Sequence, residues 1–62
     1  MIYFKAVCKN HDWESPGLYK TKASAIRSAQ AHRKNVPGPH QIVILEVFIQ
    51  DSAMQIKSMT NI

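Results

Sequence analysis

The feature that most limits the fold of this chain is a single cysteine, Cys8, in a length of only 62 residues. Such a length allows one domain, whose hydrophobic core supplies only about 3–5 kcal/mol of stability. Small domains commonly add a disulfide, a metal ion or a partner chain, and one cysteine excludes an internal disulfide. The reducing cytoplasm is therefore the expected setting, and a metal ion or a second copy is the candidate stabilising partner.

The pattern of apolar residues predicts a small α+β domain. Pro16 and Gly17 interrupt the second strand and make it an irregular edge strand, while Thr21 can cap the one helix. We predict a single ββαβ domain over residues 1–50, with a three-stranded antiparallel sheet and one helix packed on it. The tail, residues 51–62, is undecided between strand, short helix and disorder. The predicted elements are strands at 1–8, 13–20 and 41–50 and a helix at 21–34.

The last predicted strand is apolar on both faces, since only Glu46 interrupts the run "IVILEVFI" at 42–49. Such a strand is usually covered by a layer on each side, and one helix covers one side only. The tail or a second copy of the chain must supply the other cover, so a homodimer through residues 42–49 is one prediction. The predicted core consists of Ile2, Phe4, Ala25, Ile26, Ala29, Val43, Leu45 and Val47.

The stretch "VCKNHDW", residues 7–13, predicts half of a metal site. Cys8 and His11 are two residues apart at the tip of the predicted hairpin, and thiolate sulfur and imidazole nitrogen are ligands that zinc prefers. His32 lies near the predicted helix end and His40 lies just before the last strand, with seven residues between them. That gap exceeds the usual three to five, so the Pro-Gly-Pro loop must fold back if all four side chains are to bind one zinc ion.

A metal-free interpretation stays open. One thiolate with three neutral imidazoles leaves zinc with a positive net charge, and structural zinc sites more often contain two or more thiolates. In the metal-free case Cys8 is a buried small apolar side chain, and His32 is a helix-end histidine satisfied by a backbone carbonyl. His11 and His40 are then exposed loop residues.

The stretches "AVCKNHDWES" and "TKASAIRSAQAHRKNVPGPHQIVI" resemble a family of small prokaryotic zinc-finger-like domains. The pattern of that family runs Cys-x2-Cys-x-Trp, an alanine-rich helix ending in His, then Gly-His and a strand. This chain departs from it at the second ligand, where it has His11, and in its loop, which reads Gly-Pro-His. The resemblance covers roughly residues 3–49 and implies a cytoplasmic ββαβ zinc-binding fold with no established enzymatic activity. The matching residues are Cys8 for the first ligand, His32 for the third, His40 for the fourth and Trp13 for the tryptophan.

The chain is basic, with eight lysines and arginines against four acidic residues and a net charge of +4. Polyanions are therefore candidate partners. On the predicted helix Arg27 and Lys34 share one direction, and Lys22 and Arg33 share another, so there is no single dense stripe. One interpretation is a solvated surface; the other is salt-dependent contact with nucleic-acid phosphates. The residues predicted for that contact are Lys20, Lys22, Arg27, Arg33 and Lys34.

No catalytic arrangement stands out in the sequence, because a cysteine near a histidine needs an orienting group and a pocket that so small a chain does not reveal. No segment approaches the roughly 18 apolar residues of a membrane span, and the N-terminus lacks the pattern of a secretory signal. We therefore expect a non-enzymatic, cytoplasmic binding module, resembling a zinc-finger-like domain, that contacts nucleic acid through a basic face. The alternative is a metal-free structural or protein-interaction domain that forms a homodimer.

Overall fold

A computed structural model describes all residues, 1–62, and shows one helix on an antiparallel sheet whose strands differ in length. The order of the strands across the sheet is β2-β1-β3-β4. The predicted α+β class is confirmed, but the prediction of three strands is wrong, because the sheet has four. The elements in chain order are β1 (Ile2–Cys8), β2 (Trp13–Glu14), α1 (Lys22–Asn35), β3 (Ile42–Gln50) and β4 (Ala53–Asn61).

The additional strand, β4, comes from the tail whose conformation the sequence left undecided. It pairs antiparallel with β3 over nearly the whole length of both strands. Asp51 and Ser52 form the two-residue connection with φ angles of 50° and 67°, as in the type I′ turns that suit the twist of a hairpin. Such turns usually contain Asn-Gly or Asp-Gly, so Asp51-Ser52 is a weak hairpin signal, and this explains why the predicted sheet lacked the strand.

The other edge of the sheet is short and irregular, as Pro16 and Gly17 predicted. The Ser15 N–H donates to the Ala6 carbonyl at 2.8 Å, after which the chain leaves the ladder at Pro16. It returns at Tyr19, whose N–H and C=O both bond to the backbone of Phe4, at 2.8 and 2.7 Å. The predicted strand over 13–20 is thus reduced to two residues and one isolated bridge.

The helix begins and packs largely as predicted. The Thr21 side chain accepts a hydrogen bond from the Ser24 N–H at 3.2 Å and so caps the first turn. Ala25 and Ala29 face the sheet, where their small side chains allow close approach. α1 packs over β1 and β3 but not over β4, which it meets only through the Lys22 side chain and the Thr60 hydroxyl, so no second layer covers most of the outer strand.

The core lies between α1 and the sheet face that carries Cys8 and Ile42. These two residues are register partners, as are Ala6 and Ile44, and directly opposed residues point to the same face of a sheet. The buried cluster consists of Ala6, Cys8, Ala25, Ala29, Ile42 and Ile44.

The predicted core is therefore correct for Ala25, Ala29, Val43 and Val47, which are all buried, but the two valines lie outside the cluster that packs with the helix. Val43 and Val47 are buried, but they lie on the face away from the helix together with the half-buried Leu45. A strand that is apolar on both sides does not show which face meets the helix, and a one-residue change of register exchanges them. Ile2 is also misplaced in the prediction, since it is 50% exposed at the start of β1.

Candidate metal centre

Four side chains with metal-binding atoms meet at one end of the domain. One donor atom from each of them lies within 4.8 Å of the others, close enough to hold a metal ion. The sulfur of Cys8 lies 3.4 Å from Nδ1 of His11 and 3.6 Å from Nδ1 of His40. The structure thus brings together all the ligands predicted from the sequence, namely Cys8, His11, His32 and His40.

β1 and its turn supply the first two donors. Cys8 is the last residue of β1 and is fully buried on the helix side of the sheet. The following turn contains Asp12 at φ 51°, a left-handed conformation that Asp tolerates better than most residues. This tight turn returns the half-buried His11 to the cysteine. The Cys-x2-His spacing therefore brings Nδ1 of His11 to 3.4 Å from the sulfur of Cys8.

α1 supplies the third donor. His32 follows Ala25 and Ala29 on the buried side of the helix and is 7% exposed. The indole ring of Trp13 stacks on its imidazole with ring centroids 4.2 Å apart and planes 7° from parallel. The Nε2 atom of His32 is buried without a hydrogen-bond partner. The metal-free interpretation expected this histidine to be satisfied by a backbone carbonyl, and for Nε2 no such bond is present.

The loop after α1 supplies the fourth donor. Gly38 has φ 107°, which glycine adopts far more readily than other residues, and the loop folds His40 back until its ring centroid is 4.9 Å from that of His32. The Nε2–H of His40 donates to the Val36 carbonyl at 2.8 Å, because a carbonyl oxygen can only accept. In a neutral imidazole this bond leaves Nδ1 with a free lone pair, and Nδ1 is the atom that faces the sulfur of Cys8.

The neighbouring imidazoles strongly shift the pKa of the Cys8 thiol. Burial acts to raise the pKa of the Cys8 thiol, but hydrogen bonds donated to the sulfur when the facing imidazole nitrogens carry a proton, first from His40 and then from His11, outweigh that effect and lower the pKa from 9.0 to about 5. A thiolate that faces imidazole nitrogens requires cations between them, either protons or a metal ion. The same arrangement therefore favours the deprotonated sulfur that metal binding needs.

The predicted nucleic-acid contacts do not converge on one face. The Lys22 ammonium donates to the Thr60 hydroxyl of β4 at 3.4 Å, and Arg33 shares that side of the helix by its spacing of eleven residues. Arg27 lines a cavity on another side of α1 together with Tyr19. The side chains that remain exposed are those of Lys20, Lys22, Arg27, Arg33 and Lys34.

Two features of the site were not predicted from the sequence. One is the Val36 carbonyl that orients His40, which carries no sequence signal because every residue has a backbone carbonyl. The other is the stacking of Trp13 on His32, since the sequence indicated only that Trp13 anchors the hairpin against the helix. The sequence does contain a signal for this stacking, because Trp13 lies only two residues after the candidate ligand His11.

Comparison with protein-family models, with curated proteins and with solved structures finds no match to this chain. The resemblance to small zinc-finger-like domains therefore stays a prediction. The one helix is too short and too polar to cross a membrane. What the structure establishes about function is the geometry of one cysteine and three histidines that lie close enough to hold a metal ion.

Proposed function

We propose that this chain is a small non-enzymatic binding module whose fold is held by one zinc ion. Its ligands are the sulfur of Cys8 and one imidazole nitrogen from each of three histidines, His11, His32 and His40. The observation that supports this proposal most directly is the convergence of four donor atoms within 4.8 Å.

The dimensions of the site fit zinc. With Zn–S of about 2.3 Å and Zn–N of about 2.0–2.1 Å, a tetrahedral site has S···N edges of about 3.5 Å. The two distances from the Cys8 sulfur to imidazole nitrogens, 3.4 and 3.6 Å, agree with that edge. The remaining donor pairs lie within 4.8 Å, so modest side-chain rotation brings them to the tetrahedral distance.

The surroundings also fit a structural metal. A metal-bound histidine usually donates its second ring N–H to a carbonyl or carboxylate, as His40 does to Val36. The buried, unpartnered Nε2 of His32 gains the partner that a buried polar atom requires. Four protein ligands leave zinc no open position, which is typical of structural and not of catalytic sites.

Bound zinc would stabilise this fold by linking segments that share only a small core. Only ten of 62 residues are buried, and the four ligands come from the β1 end, the turn after it, the helix and the loop before β3. One ion links these segments, and the free energy of zinc binding adds to the free energy of folding. At a zinc concentration 1,000 times its Kd the gain is about 4 kcal/mol, comparable with the whole stability expected of so small a core.

The test is metal stoichiometry and zinc-dependent stability. The protein is purified without a metal-affinity tag, stripped with a chelator, and titrated with zinc against a chromophoric chelator. We expect one equivalent of zinc and a marked rise in the free energy of unfolding. His11→Ala removes a half-buried ligand at the turn, so its zinc affinity falls by more than the roughly 10- to 100-fold cost of losing an outer-shell partner.

Lys9→Ala is the matched control, because Lys9 lies in the same turn, is exposed, and uses only its backbone N–H, which bonds to the Gln41 carbonyl. It should bind zinc like the wild type. Cobalt substitution adds a second readout, since a thiolate bound to tetrahedral Co²⁺ gives charge-transfer absorption that Cys8→Ser abolishes. A well-folded wild-type protein that takes up no zinc refutes the proposal.

The metal-free homodimer remains the alternative. β3 lies between β1 and β4, so both of its backbone edges are already paired. A dimer through residues 42–49 would have to use the sheet face away from the helix, where Leu45 and Ile49 are half-buried. A dimer measured by sedimentation in zinc-free protein, with no zinc uptake, would favour this alternative.

A further inference from the structure

Two adjoining cavities form a groove between α1 and the segment that follows β1. Their volumes are about 610 and 360 Å³, and both are lined by Ser28. The helix side of this groove is built from residues at positions i, i+4, i+7 and i+11, which place them in one row along a helix. We call it the helix groove; it is defined by Ser24, Ser28, Ala31 and Asn35 on the helix and by Trp13 and Tyr19 opposite them, and its larger cavity is also lined by His11 and His32 of the metal centre.

The wall opposite the helix is aromatic. Trp13 lines the larger cavity and Tyr19 the smaller one. The Trp13 ring is held by stacking on the buried His32, and the main chain of Tyr19 is fixed by pairing in both directions with Phe4. Because His32 of the helix covers one face of Trp13, a flat group can stack only on the other face of that ring. The groove is thus arranged to receive planar groups at two neighbouring positions.

The charge of the groove is basic. Arg27 lines the smaller cavity, and no acidic side chain lines either one. Lys20 is exposed immediately after Tyr19, and Lys34 shares the helix direction of Arg27. The chain as a whole carries a net charge of +4. A ligand that complements this groove carries negative charge near Arg27 and Tyr19, next to a planar group.

We propose that the helix groove binds single-stranded nucleic acid. Two bases stack against Trp13 and Tyr19, and Arg27 contacts the phosphate between or beside them. Stacking of unpaired bases on aromatic rings in a positively charged groove is the usual mode of single-strand recognition. A duplex does not fit, because its base faces are already stacked. This inference goes beyond zinc binding: His11 and His32 of the metal centre line the larger cavity, but the proposed base and phosphate contacts are made by Trp13, Tyr19 and Arg27.

The assay uses the only tryptophan of the chain. The zinc-treated protein is titrated with an oligothymidine of eight nucleotides at low salt, and quenching of Trp13 fluorescence is measured. We expect saturable quenching and a Kd that weakens steeply with added salt. Tyr19→Ala should weaken binding roughly 5- to 150-fold through the loss of one stacked base, whereas Tyr19→Phe keeps the ring and should bind like the wild type.

Arg27→Gln and Arg33→Gln form a matched pair. Both remove one exposed positive charge from α1, but only Arg27 lines the groove, while Arg33 lies on the side of Lys22 and β4. We expect Arg27→Gln to weaken binding about tenfold and to reduce the salt slope by about 1, with a clearly smaller effect for Arg33→Gln. Equal losses for the two variants would mean diffuse charge attraction and would overturn the proposal.

Two further results would also overturn it. The first is an absence of Trp13 quenching by the oligonucleotide in a protein that circular dichroism shows to be folded. The second is tighter binding of a polyglutamate peptide of equal charge, which would make an acidic protein segment the occupant. Zinc content is measured on the same samples, so a protein that binds the oligonucleotide through Arg27 but holds no zinc refutes only the zinc proposal.

Discussion

Gly38 provides the sharpest test of how the fold builds the metal centre, because it is the one glycine with a positive φ angle. Its φ of 107° lies outside the range that residues with a side chain adopt readily. A Cβ atom at this position would lie 3.7 Å from Nε2 of His11, an ordinary contact distance. The cost of Gly38→Ala therefore comes from the backbone angle alone and not from a steric clash.

The size of that cost follows from the backbone angle. A residue with a side chain in a sparsely populated region costs about 1–3 kcal/mol. If the loop relaxes in the zinc-free protein, the backbone strain arises only when His40 moves into position to bind zinc. The strain energy is then lost from zinc binding, and zinc affinity falls by roughly 5- to 150-fold. If the loop keeps its shape without zinc, the same energy appears as a loss of zinc-free stability. The sum of the two effects is therefore the predicted quantity.

Gly17→Ala is the matched control, since a Cβ at Gly17 meets nothing within 4 Å and its φ is not in the positive range. We expect it to change stability by less than about 0.5 kcal/mol and to leave zinc affinity unchanged. The assay combines chelator competition for zinc with urea unfolding in the presence of zinc and of a chelator. If Gly38→Ala matches Gly17→Ala in both measurements, the positive φ of Gly38 does not position His40.

Three further predictions concern the turn, the cysteine and the core. Ser52→Gly should raise the free energy of unfolding by about 0.5–1 kcal/mol in urea, because glycine adopts the φ of 67° at the β3–β4 turn without strain; a loss of stability would mean that the turn is not of this type. For zinc-free protein the lowered pKa of Cys8, about 5 against an ordinary 9.0, means that the folded state binds fewer protons than the unfolded state between these values. Stability should therefore rise from pH 5 to pH 9 and be lost as the pH falls through 5, and urea unfolding of Cys8→Ala should show a shallower pH dependence. Ile44→Ala should cost about 2–5 kcal/mol because Ile44 is 1% exposed, whereas Ile56→Ala on β4, 58% exposed, should cost less than about 1 kcal/mol; equal losses would place the core elsewhere.

Much of the candidate site could be predicted from the sequence because its signals are local or chemically rare. A chain with one cysteine and three histidines offers few metal-binding side chains, and the Cys-x2-His spacing depends only on a tight turn. The signals for the helix are also local in the sequence, since Thr21 caps its first turn and the alanines favour the helical state. The sequence leaves the metal-free interpretation open, because the distance between His32 and His40 depends on a loop whose path the sequence does not show.

The sequence by itself determined the α+β class, the helix, the strand at 42–50 and the identity of four candidate ligands, because these depend on composition and on short-range pattern. The tertiary structure decided which face of β3 meets the helix, since a strand that is apolar on both sides carries no preference of its own. It also decided that the tail becomes β4, because a turn made by Asp51 and Ser52 is stable only when the two strands pair. The meeting of Cys8 with His40, 32 residues away, and the groove lined by Arg27 likewise exist only after distant segments have packed.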